Sequence, residues 1–83
     1  GIGSKLLQEA EKVARNKRCK KIWLITTNDN VHAMRFYQKY NYEWVSIHRN
    51  AVEKARKIKP SIPLLSEDKI LIKHEIELEK GLV

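Results

Sequence analysis

The chain has 83 residues, room for one small domain that would bury only about 60% of the surface its unfolded chain exposes. Hydrophobic residues make up 42% and charged residues 33%, a globular rather than a disordered profile, and no apolar run approaches the ~20 residues of a membrane span. Net charge is +7, with 14 Lys+Arg against 5 Asp+Glu in residues 1–60 and 3 against 5 in residues 61–83, so the basic body asks for an anionic partner: nucleic acid, anionic lipid or a polyphosphate-bearing cofactor.

The first expected element is a helix from about Ser4 to Lys17, with Ser4 as its cap. Leu6, Leu7, Ala10, Val13 and Ala14 fall on one face at a 3.6-residue period. Lys5, Gln8, Glu9, Glu11, Lys12 and Arg15 form the wet face, where Glu11 and Arg15 can pair at i,i+4. Lys21-Ile-Trp-Leu-Ile-Thr26 is β-branched and aromatic, with apolar residues on both faces. It predicts a strand buried on both sides, a kind that normally sits inside a sheet. Thr27-Asn-Asp-Asn30 is a turn and cap cluster opening a second helix to about Tyr40, with Ala33, Met34, Phe36, Tyr37 and Tyr40 as its apolar side. Asn41 can take the left-handed position after that helix.

Tyr42 to His48 predicts a second strand. Arg49 to Lys59 predicts a short basic helix ended by Pro60. After a loop through Pro63 and Ser66-Glu-Asp68, the stretch Ile70 to Glu79 alternates Ile72, His74, Ile76 and Leu78 with Lys73, Glu75, Glu77 and Glu79. That is a strand with one wet face. The order helix, strand, helix, strand, short helix, strand is α/β, and Trp23 and Trp44 are expected in its core.

Two groups of residues can carry chemistry. Gly1-Ile-Gly3 before a helix lets backbone approach an anion, which the first-turn N–H groups and the helix dipole then favour. Taken alone the signal is weak, because a frayed chain end explains two glycines as well. The second group is Asn30-Val-His-Ala33-Met-Arg-Phe36-Tyr37-Gln-Lys-Tyr40-Asn41-Tyr42. It resembles the N-x-x-A-x-x-F-Y-x-x-x-G-F pattern of GNAT-superfamily N-acetyltransferases. Gly1-Ile-Gly3-Ser-Lys-Leu-Leu is similar to the end of that family's Q/R-x-x-G-x-G/A loop and the helix behind it. The spacing between the two, and the tail of basic helix, Lys-Pro-Ser-Ile-Pro segment and His-Glu-Ile-Glu-Leu-Glu strand, fit as well.

The resemblance implies that residues 1–83 form one partial domain, the C-terminal half of the GNAT acyl-CoA N-acyltransferase fold: a small three-stranded sheet with helices packed on it. It implies acetyl-CoA as cosubstrate and no metal. Gly1 and Gly3, with the amides of Ile2 and Ser4, would hold the pyrophosphate. Asn30 would contact the pantetheine arm, Ala33 would let the coenzyme lie against the helix, and Tyr37 would protonate the departing thiolate. Asn41-Tyr42 stands where the family has Gly-Phe, and Ser66-Glu-Asp-Lys69 where a glycine-bearing turn is common. The family's N-terminal half supplies the amine site, so this chain alone is expected to be inactive and its acceptor is not defined. Its first strand would lack a parallel neighbour, an edge that favours a homodimer or pairing with the missing half.

The rival reading is a non-catalytic basic module for nucleic acid or a protein partner. It is disfavoured because aromatics interleaved with Lys/Arg on an exposed face are not expected. Cys19 is the only cysteine, so no internal disulfide forms, in keeping with a reducing compartment. The N-terminus turns charged at once, so no signal peptide or membrane association is read and the cytoplasm is expected. His32, His48 and His74 lack metal-ligand spacing, and His74 is expected to be a packed residue. The basic cluster Lys12, Arg15, Lys17, Arg18, Lys20 and Lys21 reads equally as a solvated face or as a site for nucleic acid or for the 3′-phosphate end of coenzyme A.

Overall fold

In the computed structural model, which describes residues 2–82, the chain alternates α1 (Ile2–Asn16), β1 (Lys21–Thr27), α2 (Val31–Lys39), β2 (Glu43–His48), α3 (Ala51–Ile58) and β3 (Glu75–Gly81). The expected order holds, while two boundaries move. Ser4 lies inside α1 rather than capping it, and the last strand begins at Glu75, because residues 70–74 are spent on hydrogen bonds to loops and side chains.

The strands form one antiparallel sheet in the order β1-β3-β2. β3 is therefore central and β1 is an edge, not the interior strand its apolar run suggests. Register sorts the two faces. Leu24 and Trp44 both sit opposite Leu78, and Thr26 and Ile47 opposite Ile76. On this face Met34, Tyr42, Ile76 and Leu78 make the core, with Leu7, Ile22, Leu24, Tyr37 and Tyr40 packed around it. Leu78 and Tyr42 are almost completely buried; burying a side chain of Leu size contributes about 1.5–3 kcal/mol. The opposite face pairs Trp23 and Glu43 with Glu79, Ile25 and Ser46 with Glu77, and Thr27 and His48 with Glu75. Lys21 bonds Glu79 and His48 bonds Glu77, both at 3.1 Å.

Trp23 and Trp44 are thus not core: they are 57% and 46% exposed. Trp23 rides the open face of an edge strand, and Trp44 stands beside a bulge at the β2 edge, where the register slips between Trp44 and Ser46. α1 also differs from its expected pattern. Leu6 and Val13 are exposed, whereas Glu11, assigned to the wet face, is buried. Leu7, Glu11 and Ala14 recur at i, i+4 and i+7, and that narrower stripe faces the sheet.

A buried carboxylate needs partners, and Glu11 has them: the Tyr42 hydroxyl donates at 2.9 Å and Lys80 Nζ at 3.0 Å, with Arg15 at 3.9 Å. Burial by itself raises the Glu11 carboxyl. The hydrogen bonds from Lys80 and Tyr42 and the charges of Lys80 and Arg15 outweigh it and hold the group below its ordinary value. Burial, then the bond to Glu11 and its negative charge, push the Tyr42 phenol well up.

Turn chemistry closes the helices. After α2, Asn41 takes φ 72, its N–H bonds Gln38 O and the Tyr42 N–H bonds Tyr37 O, the paired bonds of a Schellman cap. The same pattern ends α1, where Arg18 N bonds Arg15 O and Cys19 N bonds Ala14 O, but here an arginine holds the left-handed position at φ 61. Lys69 does so at φ 60 in the Ser66–Lys69 turn, at the place a glycine would suit. Asn28 ties the β1–α2 turn to the approach of β3. Its Oδ1 accepts from the N–H groups of Lys73 and His74, and its Nδ2 donates to Leu71 O. Arg56 clamps the proline loop by donating to the carbonyls of Ile62, Pro63 and Ile72. His74 is a packed residue, as expected: its Nδ1 accepts from the Asn50 N–H at 2.9 Å, which leaves the ring proton on Nε2.

Two outcomes follow from these contacts. Arg18→Gly should stabilise the chain by about 1 kcal/mol, because a left-handed non-glycine residue costs about 1–2 kcal/mol and glycine's extra unfolded freedom returns part of it; urea unfolding with unchanged slope is the check. Tyr42→Phe should cost about 1.5–3 kcal/mol, the range for a hydrogen bond to a charged group. The contribution of Glu11 has a defined pH sign. Its folded value is depressed, so that stability is present above about pH 4.5 and drains away as pH falls through the lower folded value. Melts between pH 3 and 7 should show this acid-side loss in the wild type and a smaller one in Tyr42→Phe.

Candidate coenzyme site

The site residues expected from sequence come from two elements. Ile2, Gly3 and Ser4 lie in the first turn of α1, with Ile2 exposed; Gly1 lies outside the described residues. Asn30 precedes α2, and Ala33 and Tyr37 lie within it. The structure joins the elements at one point. A Cβ placed on Gly3 would meet Phe36 Cζ at 3.6 Å, so the first turn of α1 rests on the middle of α2. That is ordinary contact distance, and Gly3 has no positive φ. The fold therefore does not require glycine here.

Asn30, Ala33 and Tyr37 stand at i, i+3 and i+7, which places them within one sector of the helix. Asn30 already serves the fold, because its Oδ1 accepts from Ala33 N at 3.1 Å and so caps α2. With that oxygen committed, the side chain's offer to a ligand is its NH2, a donor suited to a carbonyl. Ala33 is half-buried and adds no bulk beyond a methyl.

Tyr37 is half-buried among rings, with centroids 5.4 Å from Phe36 and 5.6 Å from Tyr42, both edge-on. The hydrogen bonds among the described residues leave its hydroxyl uncommitted. Tyr42 is the contrasting case, its hydroxyl spent on Glu11 and its phenol made a poor acid. The two adjacent tyrosines therefore differ in their hydrogen bonding: the Tyr42 hydroxyl is committed to Glu11, whereas no hydrogen bond among the described residues engages that of Tyr37.

A cavity lies elsewhere on α2. About 480 Å³ is lined by Val31, Met34, Arg35, Gln38 and Trp44, on a different sector of α2 from Asn30, Ala33 and Tyr37. The described residues contain no group of three or more His, Cys, Asp and Glu able to hold a metal, and no helix long and apolar enough to cross a membrane. The residues that sequence reading missed are Glu11, Tyr42 and Lys80, which hold the ring against which Tyr37 packs. The signal was present in Glu11, an acid standing between Leu7 and Ala14 on the inward stripe.

Comparison with known proteins bears on the family and the fold. The model of the acetyltransferase (GNAT) family matches residues 1–42. Two curated relatives from Bacillus subtilis, both described as uncharacterized proteins, are YdhI, 52% identical over 80 residues, and YxbD, 54% identical over 82. The matches cover 96% and 99% of this chain but 50% and 52% of the relatives, so the chain spans about half the length of the curated relatives it matches. An IAA acetyltransferase from Bacillus cereus superposes with a TM-score of 0.85 at 27% identity, over 98% of this chain and 51% of the other. A GNAT family acetyltransferase from Elizabethkingia anophelis with acetyl-CoA bound does so at 0.83 and 27%, over 98% and 50%. With a family match over half its residues and a fold shared along nearly its whole length, this chain belongs to the GNAT acetyltransferase family.

Proposed function

We propose that the chain is the coenzyme-binding half of an acetyl-CoA-dependent N-acetyltransferase and is inactive by itself. The observation that carries this reading is the junction of Gly3 with Phe36, which sets the first turn of α1 beside the helix bearing Asn30, Ala33 and Tyr37. A structural neighbour with acetyl-CoA bound supports the choice of coenzyme. Gly3, with the backbone of Ile2 and Ser4, would cradle the pyrophosphate at the positive end of α1; Gly1 is assigned to the same loop. Asn30 would donate to a pantetheine carbonyl, and Ala33 would let the arm lie close.

The chemistry is acyl transfer. A neutral amine would attack the thioester carbonyl, passing its proton to water or to a base outside this chain, and the coenzyme sulfur would leave as a thiolate as the amide forms. A free thiol has a pKa of ~8.5 and tyrosine ~10, so a Tyr37 hydroxyl within reach can hand its proton to the sulfur as charge develops. The acceptor amine would be chosen by residues outside this chain.

Incompleteness also fits the surface. β1 pairs only with β3, and Leu6, Val13, Trp23 and Ile25 are exposed. Such an edge seeks a strand, so a second copy or the complementary half is the proposed partner. The nucleic-acid reading gains an exposed Trp23, contrary to the expectation of a core residue. Yet Trp23 shares its face with Glu43, Glu75, Glu77 and Glu79, which repels phosphate.

Calorimetry with coenzyme A on this chain, and on one completed by the N-terminal half of a relative, tests the proposal. Coenzyme binding and amine acetylation are expected only from the completed protein; robust acetylation by the 83-residue chain would overturn the inactivity. Gly3→Ala should hold or raise stability by up to about 1 kcal/mol, as alanine does within a helix, while weakening coenzyme binding. Tyr37→Phe should lower kcat at least about a hundredfold with coenzyme affinity unchanged. In sedimentation the chain alone should self-associate at high micromolar concentration.

A further inference from the structure

A second cavity, of about 390 Å³, opens at the far end of α1 and is lined by Arg15, Arg18, Cys19, Lys20 and Leu82. We propose that it binds a small phosphate-bearing anion, a pyrophosphate or an organic phosphate, independently of the coenzyme site.

Position separates the two sites. α1 has 15 residues and rises 1.5 Å for each, so about 22 Å lies between its ends. No single pyrophosphate can touch both Gly3 and Arg18.

The cavity is built on backbone that is held in place. Cys19 N bonds Ala14 O at 2.9 Å and Arg18 N bonds Arg15 O at 2.9 Å, closing the helix; Leu82 N bonds Lys20 O at 2.8 Å, joining the opposite wall. Arg18 and Lys20 therefore project from fixed backbone, which confines the ordering cost of anion binding to the side chains themselves.

The charges are unanswered. No acidic side chain lines the cavity. Among the described residues no ion pair engages Arg18 or Lys20, and Arg15 reaches only Glu11, at 3.9 Å, a carboxylate already bonded to Lys80 at 3.0 Å. Three cations around one hollow repel one another until an anion enters. Arginine matches phosphate oxygens with two parallel N–H donors. Arg18 also occupies a left-handed position at φ 61, where glycine would sit without cost. Backbone strain kept at a cluster of like charges is the pattern of a functional position.

The lining argues for a small ligand over a nucleic-acid strand. Strand binding uses aromatic platforms along a basic groove, and this cavity has no aromatic wall. Leu82 and Cys19 supply an apolar patch beside the charges, as an organic phosphate would use.

The test is calorimetric titration of the chain with sodium pyrophosphate at low ionic strength, with the rate of Cys19 labelling by a neutral maleimide as a local reporter. Saturable one-site binding that slows the labelling is expected. The double variant Arg18→Gly, Lys20→Ser should weaken it about tenfold or more, as loss of charge-assisted bonds does. Because Arg18→Gly relieves strain, a folded variant is assured and its melt confirms it. Lys54→Ser with Lys57→Ser on α3 removes equal charge and should change affinity by no more than about twofold. Gly3→Ala should leave it unchanged.

Three results would overturn the proposal. One is no saturable heat by about 10 mM pyrophosphate, beyond any binding of use. Another is equal weakening by the α3 pair or by Gly3→Ala, which would point to diffuse charge or to the coenzyme loop. The third is tighter binding of oligonucleotides with affinity growing with their length, which would mark an extended nucleic-acid surface.

Discussion

Everything in this fold converges on β3. It is the last strand in the chain and the central one in the sheet, so β1 and β2 have no common neighbour until residues 75–81 arrive between them. Its inward side chains, Ile76 and Leu78, are the floor on which α1 and α2 rest. Its Lys80 then crosses to Glu11 at 3.0 Å and ties the first helix to the last strand. Pairings this distant in sequence must pay for loop closure before any reward. The sheet is therefore closed only by pairings distant in sequence, and the packing of α1 and α2 depends on them.

The same strand fixes the candidate site at one remove. Tyr42 lies between β3 and α2: its hydroxyl is held by Glu11, and its ring meets Tyr37 at 5.6 Å. The Schellman cap at Asn41 delivers Tyr42 to that spot, with the paired ring contact that often accompanies such a cap. Two tyrosines five residues apart thereby acquire opposite characters. One is a buried, anchored donor to a carboxylate, and the other is half-buried among rings with no hydrogen bond to its hydroxyl among the described residues. Environment rather than residue type divides the labour.

What was legible in the sequence was period and punctuation. The second helix, the left-handed Asn41, the packed His74 and the inward Ile76 and Leu78 all follow from local pattern, and the structure places each accordingly. What escaped was anything decided by which strand pairs with which. The apolar run from Ile22 to Ile25 suggests burial on both faces, yet β1 is the edge strand that the resemblance implied, and Trp23 on its open face is bare. Glu11 looks wet because it is charged, although its partners lie 31 and 69 residues away. Arg56 and Asn28 look like a solvated cation and a turn residue, and become hubs only when distant carbonyls and amides come to them. Helical period reports a face but not its width: Leu6 and Val13 share the apolar half of α1 with Leu7, and only the Leu7 stripe meets the sheet.

The exposed apolar residues carry a physical meaning of their own. A compact chain of 83 residues would have a radius of gyration near about 12 Å, whereas this one has 14.5 Å and measures 39 × 25 × 20 Å. α1 and α2 pack on one face of a narrow sheet, and the other face bears Trp23 and Ile25 in one row and glutamates in the next. Two-layer packing demands a cover for apolar residues, and glutamates demand cations or water. A cover that answered both would set apolar residues against β1 and basic ones against β3. That pairing gives the alternation on β3 two uses: Ile76 and Leu78 build the core below, and Glu75, Glu77 and Glu79 write a charge pattern above.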